Sequence, residues 1–266
     1  MEKRQASSFY AYFEPEEKST IDQMVGFFNR VVYRHQPILT DFLDPGQRNI
    51  LKTVVGKDLV VQEFGGYQNA EKKRVWISLD WQELALEDFL VTPCEVNYPS
   101  KFAKLNHSAI LGSLANSGVE VDTFGDIITD GNGRWQFFVK TTLLNFFTEQ
   151  ITRIGRNQVR ILPIDQKDVL IPEDDSREAT IIVASLRLDA VLAGLSNQSR
   201  GQVKAAITQR NVKLNWHVVQ DSNIIVKVAD IFSLRHFGRS EIVNIVTTKK
   251  GKYRVVLKLW QTKKNK

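Results

Sequence analysis

The chain has 266 residues, of which 42% are hydrophobic and 25% are charged, and its formal net charge is +6. This composition is that of an ordinary globular protein of one to three domains, and no apolar run reaches the roughly 18 residues that a membrane-spanning helix needs. The sequence opens without an apolar signal segment, and the lone Cys94 has no partner for an internal disulfide. We therefore expect a cytoplasmic protein.

Residues 1–85 predict a small N-terminal α+β unit. Between residues 16 and 42, apolar residues recur three and four positions apart, which predicts one or two helices with a single buried face. A further short helix is predicted at residues 47–55, and two strands are predicted at residues 59–64 and 74–79. Gly65-Gly66-Tyr67 joins these two strands.

Residues 86–170 predict a central domain of strands and helices. The predicted order is strand 88–97, helix 106–117, strand 123–129, strand 134–140, helix 141–153 and strand 157–163. Asp130-Gly131-Asn132-Gly133 supplies a tight turn between the middle strands, and Gly155 is predicted to end the second helix. This βαββαβ order resembles the ferredoxin-like fold of RRM-like RNA-recognition domains, although the same order serves many unrelated functions.

A strongly basic module is predicted at residues 181–266, after an acidic stretch at 172–176 that we interpret as a linker. The module contains 16 Lys and Arg against 4 Asp and Glu (net +12), whereas residues 1–180 contain 20 against 26 (net −6). Lysine and arginine at such density neutralise phosphates, release their counterions and steer association with a polyanion.

Within the module, apolar residues at 188, 191, 192 and 195 predict a short helix. The Ser199-x-x-Gln202 spacing is that of a capping box and predicts the start of a second helix. Strands at 212–215 and 224–228 complete an αα-β unit, and residues 241–246 and 253–260 predict a hairpin with a lysine-rich tip, followed by a basic tail at 263–266. Trp216 and Trp260 are predicted to be core residues, because aromatic residues of strands more often pack inside than stack on bases.

Five segments of the module occur in the order found in one known RNA-binding domain. They are Arg187–Leu192, Ser199-Arg200, Val212–Asn215, Ala229–Ile231 and Arg235–Arg239. Over residues 183–240 they resemble the domain named after ribosomal small-subunit protein four, the S4 (S-four-type) domain. Two positions depart from its pattern, since Asn211 and Ala229 stand where glycine is usual.

The S4 resemblance implies that basic side chains of the module contact RNA phosphates, which arginine can bind with two parallel hydrogen bonds. The predicted RNA-binding residues are Arg187, Ser199, Arg200, Lys204, Lys213, Arg235, Arg239, Lys249, Lys250 and Lys252. Secondary candidates are Tyr67, Arg74, Arg153 and Arg156, with Arg160 close by in the sequence. The alternative is a solvated basic surface and, for Gly65-Gly66-Tyr67, a plain connection between strands.

Further segments ahead of the module resemble the bacterial YlmH family. They are Phe42–Pro45, Phe64–Arg74, Lys101–His107, Leu111–Ser113, Gly125–Ile127 and Ile154–Arg156, so that the match spans residues 40–240. Ser108-Ala109 and Val119–Val121 depart from the family pattern. The resemblance implies a factor that binds the large ribosomal subunit, through its rRNA and peptidyl-tRNA, after a stalled ribosome splits. That process is ribosome-associated quality control, in which alanine tails are added to the stalled chain.

Catalytic and metal-binding patterns are missing from the sequence. Cys94 lies in an apolar strand, the four histidines lack metal-ligand spacing, and no glycine-rich nucleotide motif occurs. The nucleotide-binding motifs of tyrosyl-tRNA synthetases, which also carry S4 domains, are absent, and no large catalytic domain follows residue 240 as in pseudouridine synthases. We expect a monomeric, non-enzymatic protein without cofactor, metal, membrane or small-molecule partner. The alternatives are an RNA-modifying enzyme anchored by its S4 domain and a cell-division adaptor.

Overall fold

The structure of the protein is a computed structural model that describes residues 2–172, 174 and 176–261. The chain forms two compact units, one comprising Met1–Tyr10 and Lys18–Glu173, the other Ala11–Glu17 and Asp174–Lys266. Apart from Ala11–Glu17, segments 1–85 and 86–170 therefore belong to the same unit. Within the described ranges, no helix has the length and apolar character needed to cross a membrane.

The prediction of one or two helices over residues 16–42 is confirmed for the first part of this range and is wrong for the last part. Helix α1 (Lys18–Arg34) buries the expected apolar face, which consists of Ile21, Met24, Val25, Phe28, Val31 and Val32. The chain leaves this helix at His35, where φ is +52°, and Ile38–Leu43 is a strand, β1. The Thr40 hydroxyl of β1 accepts the backbone N–H of Val75 over 3.0 Å. Such a partner, far along the chain, leaves no local pattern in the sequence.

The remaining elements of the N-terminal part agree with their predictions. They are α2 (Pro45–Val55), β2 (Val60–Phe64) and β3 (Lys73–Ser78). Helix α2 begins at Asp44, whose carboxylate accepts the N–H of Gln47 while the Gln47 side chain accepts the N–H of Asp44. Strand β3 lies in the middle of an antiparallel sheet of order β1-β3-β2 and pairs the backbone groups of both neighbours.

The central part of the first unit has the predicted βαββαβ order. Its elements are β4 (Val91–Asn97), α3 (His107–Ala115), β5 (Phe124–Thr129), β6 (Trp135–Lys140), α4 (Leu144–Gln150), β7 (Arg153–Ile154), β8 (Asn157–Gln158) and β9 (Arg160–Pro163). The main sheet is antiparallel with order β5-β6-β4-β9, which is the ferredoxin-like arrangement. Ile110, Leu114 and Phe147 of the two helices pack on one face of this sheet.

Gly155 has a different role from the predicted one. Helix α4 ends at Gln150, and Gly155 lies in the tight turn that joins β7 to β8. Its φ of +59° is the left-handed conformation that such turns require and that glycine adopts at low cost. Gly155 therefore lies at a chain reversal, but the reversal is the turn of a hairpin and not the end of a helix.

A carboxylate anchors the loop between β2 and β3 to the central sheet. Asp126 of β5 accepts three hydrogen bonds over 2.6–3.0 Å, from the Tyr67 hydroxyl and from the backbone N–H groups of Glu71 and Lys72. Burial raises the pKa of Asp126, and the three hydrogen bonds oppose that rise. The same loop places Gly66 against the ring of Phe138, a fully buried residue of β6.

The second unit is a sheet with two helices packed on one face. Its elements are β10 (Arg177–Val183), α5 (Leu188–Ser196), α6 (Arg200–Thr208), β11 (Val212–Leu214), β12 (His217–Val218), β13 (Ile231–Leu234), β14 (Gly238–Thr247) and β15 (Tyr253–Gln261). The sheet is antiparallel with order β10-β15-β14-β13-β11-β12. Leu188, Leu192, Val203 and Ile207 are fully buried between the helices and this sheet.

The strand predicted at residues 224–228 is absent from the sheet. Instead, the backbone N–H of Leu188 donates to the Ile224 carbonyl (2.8 Å), and the N–H of Val226 donates to the Leu186 carbonyl (2.9 Å). The apolar run is therefore held extended against the entry of α5. This pairing satisfies its backbone groups as a strand would, and only the tertiary structure distinguishes the two.

The two departures from the S4 pattern have different consequences in the backbone. Ala229 adopts φ +70°, which explains why glycine is usual at that position. The Asp230 carboxylate fixes the turn by accepting the Lys227 N–H and the Asn215 amide, each over 2.9 Å. At the other departure, Asn211, the left-handed conformation falls on the preceding residue, Arg210 (φ +60°), and not on Asn211 itself.

Some predicted features fall outside the described residues. Glu173 and Asp175 of the predicted linker and Lys263, Lys264 and Lys266 of the basic tail are among them. Asp174, which is described, is exposed and pairs with Lys258 of β15 over 3.4 Å.

The close approach of Gly66 to Phe138 gives a stability test. We expect Gly66→Ala to lower the free energy of unfolding by about 3 kcal/mol, because the new methyl group overlaps a buried ring and φ is +102°. Gly112→Ala is the matched control, since no atom lies within 4 Å of a methyl group added there in helix α3. The control should be neutral or stabilise by up to about 1 kcal/mol. Urea unfolding of both variants checks this, and equal effects would contradict it.

Candidate nucleic-acid interface

A buried carboxylate gathers three of the predicted RNA-binding residues. Arg187 immediately precedes α5, Asp189 lies in the first turn of α5, and Arg200 and Lys204 lie one turn apart on α6. The Asp189 carboxylate accepts hydrogen bonds from Arg187 (3.2 Å to both Nε and Nη2) and from Arg200 Nη2 (2.8 Å). Lys204 Nζ lies 3.8 Å from the same carboxylate. We refer to these four side chains as the Asp189 cluster.

The electrostatics of the Asp189 cluster leave an excess of positive charge at the surface. The side chain of Asp189 is 0% exposed, whereas those of Arg187, Arg200 and Lys204 are 32%, 53% and 50% exposed. Burial by itself would raise the pKa of Asp189, but the hydrogen bonds from Arg200 and Arg187 outweigh it and lower the pKa. One ionised carboxylate therefore orients three cations, and the surface keeps a net charge of about +2 for an anionic ligand.

The N-terminus of α6 adds a second electrostatic interaction that favours anions. Gln202 donates its backbone N–H to the Ser199 hydroxyl (3.2 Å), and its side chain accepts the N–H of Ser199 (2.9 Å), which confirms the predicted capping box. The Ser199 hydroxyl therefore has a structural partner in the free protein. The positive end of this helix lies beside Arg200, where a phosphate is electrostatically favoured.

A second basic surface lies at the edge of the sheet. A shallow depression of about 440 Å³ is lined by Arg210, Asn211, Lys213, Ser233, Leu234, Arg235, His236, Gly238 and Arg239. Lys213, Ser233 and Arg239 are directly opposite one another on neighbouring strands, so their side chains share one face. The lining residues contain no Asp or Glu. We call this surface the basic depression.

Two basic residues of the depression, Arg210 and His236, were missed from the sequence. Arg210 follows the last turn of α6 and forms an ion pair with Glu16 of the segment Ala11–Glu17. Because Arg210 follows the last turn of an amphipathic helix, its position in the sequence is typical of a solvated residue. His236 comes near Arg210 only through the turn between β13 and β14. The guanidinium of Arg239 lies 5.5 Å from the centre of the Trp216 ring.

The tryptophans predicted as core are half-buried. Neither Trp216 nor Trp260 belongs to the buried core of the second unit. Arg239 pairs with Trp260 across β14 and β15, which places both on the face of the sheet that carries Lys213. The prediction failed because this face is exposed, whereas the helices cover the other one.

The tip of the β14–β15 hairpin carries the last predicted cations. Lys249, Lys250 and Lys252 are exposed there. Backbone hydrogen bonds order the turn, from Thr248 N to Lys252 O (2.7 Å) and from Gly251 N to Thr248 O (2.9 Å). The tip is thus a defined turn that presents three ammonium groups to solvent.

Two of the secondary candidates, Arg74 and Tyr67, are held by hydrogen bonds within the first unit. Arg74 is 5% exposed, and its guanidinium donates to the backbone carbonyls of Thr40, Phe89 and Leu90 over 2.8–3.0 Å. Burial lowers the pKa of Arg74. Burial also raises the pKa of Tyr67, whose hydroxyl donates to Asp126. Both side chains therefore have hydrogen-bond partners within the fold, where Arg74 is buried and Tyr67 is partly buried, whereas Arg153 and Arg156 are exposed.

Comparison with known proteins gives two matches to family models. One, described as "Putative RNA-binding domain in YlmH", matches residues 85–168, and the S4 domain matches residues 186–232. The chain is also 36% identical over 251 residues to ribosome-associated protein quality control protein P2 of Bacillus subtilis (strain 168), covering 94% of this chain and 97% of that protein. The chain belongs to the YlmH family.

A solved structure supports the assignment of the fold. The protein titled cell division protein ylmH from Streptococcus pneumoniae has a TM-score of 0.52 and 28% sequence identity, over 60% of this chain and 97% of that chain. In this YlmH-family protein, the YlmH domain contains β4 to β9. The matched part of the S4 domain includes the Asp189 cluster and Lys213, while Arg235, Arg239 and the hairpin tip lie beyond it.

Two observations outside these surfaces concern nucleophilic and metal chemistry. Cys94 is fully buried, and burial raises the pKa of its thiol to about 12, so the thiolate that a nucleophile needs does not form at neutral pH. Among the described residues, no group of His, Cys, Asp and Glu side chains is arranged to hold a metal ion.

The lowered pKa of Asp189 gives a pH-dependent prediction. We expect Asp189→Asn to lower the free energy of unfolding at pH 7 by about 2 kcal/mol, less than for a fully buried pair because Arg200 and Lys204 are half-exposed. A carboxylate whose pKa is lowered in the folded state stabilises the fold at pH values above its ordinary pKa of about 4. This stabilisation is lost as the pH falls through the pKa of the folded state. The difference between variant and wild type should therefore shrink below about pH 4.

Urea unfolding at pH 7 and at pH 3 measures this difference. Asp221→Asn is the control, because Asp221 is an exposed carboxylate of the same unit, and its effect should stay within about 0.5 kcal/mol at both pH values. An Asp189→Asn effect that is the same at both pH values would contradict the role of the ionised carboxylate.

Proposed function

We propose that this YlmH-family protein is a non-enzymatic, cytoplasmic RNA-binding factor of ribosome-associated quality control. It binds rRNA and tRNA on the large ribosomal subunit after a stalled ribosome has split, when alanine tails are added to the peptidyl-tRNA. The observation that carries this proposal is the Asp189 cluster, in which a buried carboxylate orients three half-exposed cations within a matched S4 domain. The Bacillus relative supports the process, since its name places it in ribosome-associated quality control.

The Asp189 cluster suits a phosphate ligand for energetic reasons. Long basic side chains lose rotamer freedom when they bind, at about 0.5–1.5 kcal/mol each. Asp189 fixes Arg187 and Arg200 through hydrogen bonds in the free protein, so part of this loss precedes binding. Both guanidinium groups retain donors that Asp189 does not use, and these can bind phosphate oxygens.

The basic depression and the hairpin tip extend the proposed contact. Lys213, Arg235 and Arg239 line the depression, and Lys249, Lys250 and Lys252 form the tip. We propose that these residues bind RNA phosphates together with Arg187, Ser199, Arg200 and Lys204. The proposed organisation is an N-terminal part at 1–85, an RRM-like RNA-binding domain at 86–170 and the S4 domain at 181–266, acting as a monomer without cofactor.

The test of the RNA contact removes two cations of the Asp189 cluster. We expect Arg200→Gln with Lys204→Gln to bind purified large subunits about 30-fold more weakly, since two phosphate contacts of roughly 1 kcal/mol each are lost. The slope of log affinity against log salt should become shallower by about two. Lys258→Glu is the control, because it changes the net charge by the same amount on the exposed side of β15.

Co-sedimentation with large subunits at several salt concentrations measures both quantities. Equal losses in the double variant and in Lys258→Glu would show that only total charge matters and would defeat the assignment of the site. Identification of the RNA that co-purifies from cells tests the target itself. Base modification of cellular RNA by the purified protein would instead establish the RNA-modifying alternative.

A further inference from the structure

The central sheet of the first unit does not offer the surface that RNA-recognition domains use. Such domains stack bases on aromatic residues of the two middle strands, on the face that the helices leave open. The middle strands are β6 and β4. Of the β6 side chains that point away from the helices, Lys140 at the end of the strand pairs with Asp41, and the other two are Gln136 and Phe138. Both are 0% exposed.

The chain itself occupies the stacking position on Phe138. The Tyr67 ring stacks on Phe138 with 5.3 Å between centroids and 26° between planes, as a base would. Phe42 and Ile128 complete this buried cluster, and Gly66 lies in contact with the ring. Access for a base would require the Asp126-anchored loop to leave the sheet.

A second segment covers the neighbouring position at Gln136. Its amide donates to the Asp168 carbonyl (3.0 Å) and accepts the backbone N–H of Leu170 (2.8 Å). Gln166 of the same segment donates to the Gly66 carbonyl over 2.5 Å, which links the two covering segments. Residues 166–170 therefore cross the face from which RNA would be read.

The open end of this face is unsuited to phosphate. A cavity of about 730 Å³ lies there, and its lining includes Glu95, Asp130 and Asp168 beside Arg134 and Lys167. The Arg134 guanidinium is already paired with Glu95 over 2.5 Å. Lys167 pairs in turn with Asp165 over 3.3 Å. Three carboxylates against two cations, both of which have carboxylate partners, repel a polyanion.

A different part of the same domain carries unneutralised positive charge. Residues 150–164 contain three arginines and no Asp or Glu. Arg153, Arg156 and Arg160 are exposed, and they alternate with the buried side chains of Ile154, Val159 and Ile161. None of the three arginines forms an ion pair with any residue that the structure describes, in contrast to Arg134 and Lys140 of the same domain. We call residues 153–160 the arginine hairpin.

We propose that the YlmH domain of this protein contacts RNA through the arginine hairpin, by binding backbone phosphates of folded rRNA or tRNA, and not through its sheet. The inference rests on the proposed function, because it requires that the protein binds RNA. Guanidinium groups bind phosphate in any sequence context, so the contact adds affinity and orientation without reading bases. The first unit then contributes its own RNA contact alongside the S4 domain.

The experiment compares charge removal with charge retention at the hairpin. In the full-length protein, we expect Arg153→Gln, Arg156→Gln and Arg160→Gln together to weaken binding to purified large subunits or to tRNA by at least about tenfold. The slope of log affinity against log salt should become shallower by about two to three. The triple lysine variant, which keeps the charge, should stay within about threefold of wild type.

Two further variants separate the hairpin from the sheet and from general charge. Arg134→Gln removes a paired cation of the same domain, and Phe138→Leu alters the covered face, so both should bind RNA as wild type does. The ligand that loses affinity distinguishes rRNA from tRNA as the source of the phosphates.

The outcomes that overturn the inference are distinct from failure of the proposed function. If the wild-type protein binds RNA and the triple glutamine variant binds it equally well, the hairpin contact alone is overturned. Equal losses in the lysine and glutamine variants mean a structural role and also overturn it. A wild-type protein that binds no RNA overturns the proposed function and the hairpin contact with it.

Discussion

A carboxylate removed from water must be surrounded by donors, and this requirement organises both units of the protein. In the second unit, Asp189 is fully buried and draws two arginines and a lysine around it. In the first unit, Asp126 is satisfied by a phenol hydroxyl and two backbone N–H groups. The pKa values move in opposite directions for this reason, since cations offset the burial of Asp189 and neutral donors do not offset that of Asp126.

The two carboxylates have opposite effects on the surfaces around them. Asp189 presents cations to solvent in a fixed arrangement, whereas Asp126 closes a surface by fixing the loop that carries Gly66 and Tyr67 over Phe138. A ferredoxin-like sheet is therefore not by itself evidence of base stacking, because the aromatic residue in the stacking position is used to join two parts of the fold. Base stacking requires that the face of the sheet opposite the helices is open to solvent.

Membership of the YlmH family and the charge distribution lead to the same picture of the molecule. Residues 181–266 carry a net charge of +12, and the three basic surfaces of this part of the chain are the Asp189 cluster, the basic depression and the hairpin tip. The remainder of the chain is acidic in total, yet its arginine hairpin is free of carboxylates. Under the proposed function, contacts to RNA phosphates from both units add orientation as well as affinity.

The sequence determined those features whose causes lie within a few residues. The apolar face of α1, the Ser199–Gln202 capping box, the βαββαβ order and the ordered S4 segments all follow from periodicity or local hydrogen bonding, and the structure bears them out. The residues of the Asp189 cluster were individually predicted, but not the carboxylate that joins them. Asp189 looked like an ordinary residue of a first helical turn, because its arginine partner on α6 lies eleven positions further on.

Only the tertiary structure decided the features that depend on distant partners. Residues 38–43 are a strand because β3 pairs with them, and residues 224–228 lie outside the sheet because the entry of α5 binds them instead. Arg74 and Tyr67 carry the same side-chain chemistry whether buried or exposed, so the sequence could not separate a structural role from RNA contact. The sequence also could not predict that the sheet face of the YlmH domain is covered, since the segments that cover it are far from β6 in the sequence. Local patterns specify elements, while burial and pairing between distant segments decide which surfaces remain open for a ligand.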